Sequence, residues 1–226
     1  MVFKKGQKGD SFKMIVALDG PAGVGKSTIA KMIASKASLF YVNSGNFYRG
    51  ITYQSIKKNL TPKDTGEIIK LAKQIKFSIQ DDKLFINNED IEDKLHSDSV
   101  DALVAQTSSI VEVRKIVNDA IRKSTLNMDI IVEGRDISTV VFPHADLKVY
   151  LDASVETRAE RRYNQGTSSL SLEEIIASIK VRDSIDISKP EGSLKISDDA
   201  LYLDTSDLTI DEVCEKVIRK LISMKE

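Results

Sequence analysis

"ALDGPAGVGKST", residues 17–28, is the stretch of this 226-residue sequence that decides the fold. Residues 20–27 match the pattern GxxxxGK[ST], which is meaningful when a strand precedes it and a helix follows it. The run "MIVALD" (14–19) predicts that strand, and "IAKMIASKA" (29–37) predicts the helix. The match therefore predicts a phosphate-binding loop, with a flexible glycine-rich turn as the alternative.

The residue types of this loop explain how it would bind phosphate. Glycines let the backbone curl so that its N–H groups face anionic oxygens, and the helix N-terminus adds a favourable dipole. Lys26 is expected to reach the β and γ phosphates, and the hydroxyl of Ser27 to hold Mg²⁺.

Further apolar runs of strand length alternate with helical patterns along the chain. They are "LFYVN" (39–43), "DIIVE" (129–133), "LKVYLD" (147–152) and "ALYLD" (200–204). Nearly continuous hydrophobicity is typical of strands covered on both faces, so the fold class is α/β, a P-loop type parallel sheet with helices on both faces. Three pairs predict helix starts by the capping-box pattern: Ser109 with Glu112, Ser171 with Glu174, and Thr209 with Glu212.

Two regions interrupt the alternation of strands and helices. Within about 61–97, "KFSIQ" and "KLFINNEDI" flank "DD" as in an antiparallel hairpin, which indicates a small lobe inserted into the core. A second region, about 158–190, contains "NQGTSS" and is predicted to be a mobile lid. We expect an N-terminal tail at 1–13 and one domain at 14–226 that carries both additions.

Composition limits the functional classes. The formal net charge is −1 and Cys214 is the one cysteine, so neither a nucleic-acid footprint nor an intramolecular disulfide is expected. No signal peptide and no membrane span are apparent, so we predict a cytoplasmic protein without membrane or nucleic-acid partners. The guanine-reading pattern NKxD is absent, and the chain is short for a helicase. A small-molecule kinase that closes over its substrates fits best.

Two stretches after predicted strands are candidates for the acceptor site. In "NSGNFYRG" (43–50), Ser44 could meet a ligand and Arg49 could pair with a phosphate, although a surface arginine is the plain alternative. In "VEGRDISTVVFP" (132–143), Glu133, Arg135 and Asp136 follow a buried strand, at the edge where α/β sheets bind ligands. Pairing of these opposite charges with each other is the alternative.

Arginines also cluster in the predicted lid. They are Arg158, Arg161, Arg162 and Arg182. Mobile cations that arrive on closure stabilise the charge that spreads over a transferring phosphoryl group. A solvated helix face is the alternative.

Taken together, five stretches resemble the bacterial cytidylate (CMP/dCMP) kinases, a family of P-loop nucleoside monophosphate kinases, from about Met14 to the last helix. The stretches are "IVALDGPAGVGKST", "NSGNFYRG", "EGRDISTVVFP", "ETRAERRY" and "IKVRDSIDISK". The resemblance implies Mg²⁺-dependent transfer from ATP to CMP or dCMP, on a parallel-sheet core with a monophosphate-binding lobe and a lid. We expect a monomer.

The resemblance also implies residue roles. The ATP phosphates would be held by Gly20, Pro21, Ala22, Gly23, Val24, Gly25, Lys26, Ser27 and Thr28. The catalytic cations would be Lys26, Arg158, Arg162 and Arg182. The acceptor would be bound by Ser44, Arg49, Arg114, Arg135, Asp136, Arg182 and Asp186. Of these, Arg114 and Asp136 match the cytosine-reading pair, which suits the amino donor of cytosine and its O2 and N3 acceptors.

The chain departs from the family pattern at four positions. Ala105 stands where a serine on the base is usual, with Thr107 and Ser108 nearby, and Lys189 stands where an arginine is usual. Asn43 and Ser138 replace an aspartate and a glycine. A kinase of UMP or of another small acceptor, and a nucleotide-binding regulator or nucleic-acid ATPase, are the alternative functions.

Overall fold

The computed structural model describes residues 13–80, 83–166 and 170–224. The predicted tail lies outside them except for Lys13, as do the predicted hairpin turn at 81–82 and residues 167–169 of the predicted lid. Within the described residues, every helix is too short or too polar to cross a bilayer.

A five-stranded parallel sheet forms the core, as the apolar runs predict. Its strands are β1 (Ile15–Asp19), β2 (Phe40–Asn43), β6 (Ile130–Gly134), β7 (Leu147–Asp152) and β8 (Leu201–Asp204). Their order across the sheet is β2-β6-β1-β7-β8. Asp19 of β1 lies opposite Gly134 of β6 and Tyr150 of β7, so the carboxyl ends of these strands meet at one edge.

Helices complete the chain between and after these strands. They are α1 (Lys26–Ala37), α2 (Ser44–Lys57), α3 (Thr65–Gln74), α4 (Asp98–Thr107), α5 (Val111–Ser124), α6 (Val155–Asn164), α7 (Leu172–Ser188) and α8 (Ile210–Ser223). The main apolar cluster joins β1 and β7 to α1 and α8, with Leu18, Ile33 and Val217 fully buried in it. Burial of such side chains stabilises the fold by about 1.5–3 kcal/mol each.

The described residues form two compact units. The first holds residues up to Val42, residues 127–188 and residues from Ser193 onward. The second holds Asn43–Leu126 and Lys189–Gly192. The second unit therefore begins before the predicted insertion at 61–97 and ends after it, and the insertion boundaries stay a prediction.

A small antiparallel sheet lies in the second unit. Strands β3 (Phe77–Gln80) and β4 (Lys83–Ile86) pair as the hairpin pattern predicts. A third strand, β5 (Glu89–Asp90), was not predicted as separate from β4. It forms because Asn87 and Asn88 adopt positive φ angles of 51° and 67°, which are typical of a tight hairpin turn.

Two of the three predicted helix starts are confirmed. Thr209 and Glu212 form a complete capping box at α8, and Ser171 and Glu174 exchange the corresponding backbone bonds before α7. The prediction at Ser109 is wrong, because its hydroxyl donates to the carbonyl of Ala105 and α5 begins after Ile110 without a side-chain cap.

Candidate active site

The loop between β1 and α1 has the backbone that its glycines predict. Gly20, Gly23 and Gly25 have φ angles of 152°, 79° and 94°. At Gly20 a Cβ atom would lie 2.2 Å from the carbonyl oxygen of Leu151, so no other residue fits there. No side chain caps the N-terminus of α1, so its first N–H groups can donate to phosphate oxygens.

Lys26 is buried beneath this loop. Its Nζ donates to the carbonyl oxygens of Gly20 at 2.8 Å and Pro21 at 2.7 Å. Burial lowers the pKa of Lys26 well below its usual value, and the neighbouring cations Arg135 and Arg182 lower it further. The structure therefore brings together three cations that the sequence assigns to phosphate chemistry.

The hydroxyl-bearing residues that follow Lys26 are exposed. Ser27 and Thr28 lie in the first turn of α1 with their side chains at the surface. Among the described residues, no cluster of three or more His, Cys, Asp or Glu side chains exists to hold a metal ion. A Mg²⁺ ion here would take Ser27 and oxygens of a bound phosphate, as is usual for Mg²⁺ at nucleotide sites.

Charged residues at the end of β6 are linked to more distant parts of the first unit. Arg135 Nε donates to Asp186 Oδ2 at 2.7 Å. Glu133 accepts a hydrogen bond from the hydroxyl of Tyr41. The alternative interpretation, in which the charges of this stretch pair only with each other, is therefore wrong for Arg135.

Asp19, the last residue of β1, is a member of the site that sequence reasoning missed. It is fully buried and accepts three hydrogen bonds, two from Ser138 and one from the N–H of Ile137. Burial raises the pKa of Asp19, and these donors oppose that rise. The sequence signal that could have identified Asp19 is its position, because it is an acid that ends an otherwise apolar strand directly before the phosphate loop.

Arg158 is held by the protein rather than by solvent. Its Nε donates to the carbonyl of Ala153 at 3.0 Å, its Nη1 to that of Ala22 at 2.9 Å, and its Nη2 lies 2.7 Å from Asp183 Oδ2. The alternative prediction, that this arginine lies on a solvated helix face, is therefore wrong. Arg158 joins the phosphate loop to α7, and Asp183 is its partner that the sequence did not indicate.

The other arginines of the predicted lid differ from Arg158. Arg161 donates to the side-chain hydroxyl of Thr205 at 3.2 Å and to the backbone carbonyl of Thr205. Arg162 and Arg182 are half-buried on α6 and α7. Their roles as transition-state cations stay predictions.

We expect Asp183→Asn to lower the free energy of unfolding by about 2 kcal/mol, because it leaves the buried guanidinium of Arg158 without its counter-charge. Urea denaturation measures this loss. The matched control is Glu215→Gln, which breaks an exposed pair with Arg219 and should cost less than about 0.5 kcal/mol. Equal losses in the two variants would contradict a structural role for the buried pair.

The second unit holds three of the predicted acceptor residues. Ser44 is buried at the start of α2. Arg49 pairs with Asp101 at 2.7 Å and donates to the carbonyl of Leu95 at 3.0 Å. Arg49 is thus more than a surface arginine, because a carboxylate and a carbonyl both orient it.

Arg114 is the third, and it is closely packed within the second unit. It is buried, donates to the carbonyl of Ser108 at 3.0 Å, and lies over the ring of Tyr48 at 5.4 Å. Gly192 packs against its guanidinium so closely that a Cβ atom there would lie 1.9 Å from Nη2. These contacts fix the guanidinium in one place.

Residues at or beside the positions that depart from the family pattern make hydrogen bonds within the second unit. Lys189 Nζ lies 3.2 Å from the hydroxyl of Ser108, which in turn donates to the carbonyl of Ala105 at 2.9 Å. The hydroxyl of Thr107 donates to the carbonyl of Leu103 at 3.2 Å. Both hydroxyls near Ala105 are thus engaged with backbone carbonyls. Asn43, at the start of α2, makes no side-chain cap.

Comparison with known proteins gives consistent matches over nearly the whole chain. A family model described as cytidylate kinase matches residues 16–223. A cytidylate kinase of Fusobacterium nucleatum is 40% identical over 215 residues, covering 94% of this chain and 99% of that protein. One of Clostridium tetani is 38% identical over 213 residues, covering 93% of this chain and 94% of that protein.

Solved structures support the fold. A gluconokinase of Sinorhizobium meliloti superposes with a TM-score of 0.50 at 11% identity, covering 94% of each chain. An uncharacterized protein of Eubacterium ventriosum superposes with a TM-score of 0.53 at 12% identity, covering 94% of this chain and 99% of that one. At such low identity these likenesses bear on the fold alone.

Proposed function

The chain belongs to the cytidylate kinase family, and from this premise we propose that it transfers the γ-phosphoryl group of ATP to CMP and dCMP, with Mg²⁺, to give CDP and dCDP. Membership implies phosphorylation of a nucleoside monophosphate. The use of ATP, the metal and the acceptance of the deoxynucleotide are our proposal.

The observation that carries the proposal is the loop of residues 20–28 with the cations beside it. Its three glycines with positive φ, the uncapped start of α1 and the buried Lys26 form a site for an anion. Arg135 and Arg182 lie near enough to lower the pKa of Lys26. Several positive groups at one place suit a substrate with several negative charges.

Lys26 has a defined role in this proposal. The carbonyls of Gly20 and Pro21 orient its ammonium, and we assign it to the oxygens of the transferring phosphoryl group. Arg162 and Arg182 would add positive charge as that group leaves ADP. Arg158 is assigned to the same charge, and its guanidinium is oriented by the carbonyls of Ala22 and Ala153 and by the carboxylate of Asp183.

The acceptor assignment follows the family resemblance, residue by residue. Asp136 is proposed to accept the exocyclic amino group of cytosine, and Arg114 to donate to its O2 and N3. The acceptor phosphate is assigned to Arg49, Arg135 and Arg182, with Ser44 beside the nucleotide. Asp186 is assigned to the sugar, while it also orients Arg135.

Mg²⁺ fits the donors present. The exposed hydroxyl of Ser27 is suitably placed in the first turn of α1, and no carboxylate cage competes for the ion among the described residues. When bound, Mg²⁺ neutralises charge on the phosphates.

The further parts of the proposal are a monophosphate-binding lobe at about 61–97, a lid at about 158–190, and a monomeric enzyme of the cytoplasm.

The test is an assay of ADP release and product formation with ATP and Mg²⁺, offering CMP, dCMP, UMP, AMP or no acceptor. We expect CDP and dCDP as the main diphosphates and little ADP without acceptor. Preferred formation of UDP would instead identify a UMP kinase. Absence of any diphosphate would overturn the proposal, and ADP release stimulated by nucleic acid would indicate an ATPase.

A further inference from the structure

Helix α7 packs against the phosphate loop through one of its faces. Ile175 and Ile179 of this helix are buried together with Ala159 of α6. A Cβ atom placed on Gly23 of the loop would lie 3.9 Å from Ile179 Cδ1, so the loop and the helix are in close contact there. Asp183 stands four residues after Ile179, one turn further along the same face. The apolar face of α7 thus continues into a carboxylate.

Asp183 is joined to the phosphate loop by an arginine. Its Oδ2 lies 2.7 Å from Arg158 Nη2, while Arg158 Nη1 donates to the carbonyl oxygen of Ala22 at 2.9 Å. The side chains of Arg158 and Asp183 are only 5% and 14% exposed, so water screens their attraction little. The bridge of Asp183, Arg158 and Ala22 therefore holds the last turns of α7 against the loop.

The same part of α7 carries one of the cations assigned to phosphate chemistry. Arg182 directly precedes Asp183 and stands four residues before Asp186, whose carboxylate accepts from Arg135 Nε at 2.7 Å. Arg182 is near enough to Lys26 to lower the pKa of that lysine. The place at which α7 is held therefore decides how the guanidinium of Arg182 lies relative to Lys26.

We propose that Asp183 is a positioning residue for phosphoryl transfer: by tying α7 to the phosphate loop through Arg158, it sets the guanidinium of Arg182 beside Lys26. The inference rests on the proposed function, because Arg182 and Lys26 are assigned there to the phosphoryl group. The two cations repel each other, so their approach needs an attachment that holds α7 in place. Placement before the reaction matters for the rate, because a cation displaced by about 1 Å stabilises the developing charge much less.

The test compares Asp183→Asn and Asp183→Glu by kcat and by KM for ATP in CMP phosphorylation, with urea denaturation of each variant. Asparagine removes the charge of the bridge, whereas glutamate keeps the charge and lengthens the arm by one methylene. We expect both variants to lower kcat about tenfold, with KM for ATP within about threefold, because Arg182 is displaced in both. The urea midpoint should fall more in Asp183→Asn, which leaves Arg158 without its counter-charge.

The variant Arg182→Ala tests the route by which Asp183 acts. When Asp183→Glu is added to Arg182→Ala, kcat should change by less than about twofold, because Asp183 acts through Arg182. A further loss as large as that in the unaltered background would overturn the inference, since Asp183 would then act on Arg158 alone.

An unchanged kcat in Asp183→Glu would also overturn the inference, because a pair that only stabilises the fold needs the charge and not its exact position. This variant gives the answer even where Asp183→Asn fails to fold. The matched control is Glu173→Gln in the first turn of α7, an exposed acid of the same helix, which should keep kcat within about twofold. Absence of CDP with the unaltered protein would overturn the proposed function, and this inference with it.

Discussion

Replacement of Lys26 by alanine should lower kcat/KM for phosphoryl transfer about a thousandfold. The ammonium is the cation that the loop carbonyls of Gly20 and Pro21 hold in place, at 2.8 Å and 2.7 Å. Alanine removes a positive charge from a buried position, where water cannot take its place against the developing charge of the phosphoryl group. Initial rates of CDP formation at varied ATP concentration measure the loss.

The matched control is Lys31→Ala on the same helix. Lys31 is exposed and lies over the ring of Tyr41 at 5.4 Å. We expect kcat/KM of the Lys31→Ala variant to stay within about twofold of that of the unaltered enzyme. Turnover by Lys26→Ala close to that of the control would refute the role of Lys26.

The same lysine should make stability depend on pH. Because burial lowers the pKa of Lys26 in the folded state, the unfolded chain binds more protons between that lowered value and the usual one. Stability of the unaltered protein should rise with pH through this window. Below this pH window the folded protein bears the full free-energy cost of burying the charged ammonium. Lys26→Met should therefore be more stable than the unaltered protein there.

Denaturant unfolding of the two proteins at several pH values tests this. We expect the advantage of Lys26→Met to shrink as pH rises toward the usual lysine pKa. An advantage that grows with pH would contradict the assigned direction of the shift.

Replacement of Asp136 by asparagine should lower the preference for CMP over UMP about a hundredfold. In the proposed function the carboxylate would accept a charge-assisted bond from the amino group of cytosine and would repel the carbonyl that uracil carries there. The amide accepts more weakly and can donate to uracil. Because Asp136 is buried, water cannot compensate for this change.

Competition between CMP and UMP in one reaction measures the preference directly. Asp119→Asn, at an exposed residue of α5 that pairs with Arg122, is the control and should keep the preference of the unaltered enzyme. A parallel fall with both acceptors in Asp136→Asn would show that the carboxylate serves the fold or the phosphate rather than the base.

Much of the fold was predictable because its signals are local. The apolar runs predicted all five strands of the parallel sheet within one residue, and β7 (Leu147–Asp152) is the case where both ends agree. The phosphate loop was predictable because a turn of this kind requires glycines at set positions next to Lys26. The complete capping box at Thr209 was predictable for the same reason, since its two partners lie three residues apart.

The partners of the charged residues were not predictable from the same patterns. Arg135 could have paired with Glu133 or Asp136, yet it pairs with Asp186, 51 residues away. A solvated helix face was one alternative for Arg158, and the arginine is instead buried against Asp183. The cap predicted at Ser109 failed because a helix carbonyl competes for its hydroxyl.

Residue spacing thus determines the strands, the phosphate loop and the family pattern, since each depends on neighbours a few positions apart. Which carboxylate meets which donor depends on how the strands lie side by side. The register that sets Asp19 against Gly134 brings the carboxylate of Asp19 to the N–H groups of Ile137 and Ser138. Burial then makes the bond obligatory, because a carboxylate removed from water must find its donors within the protein.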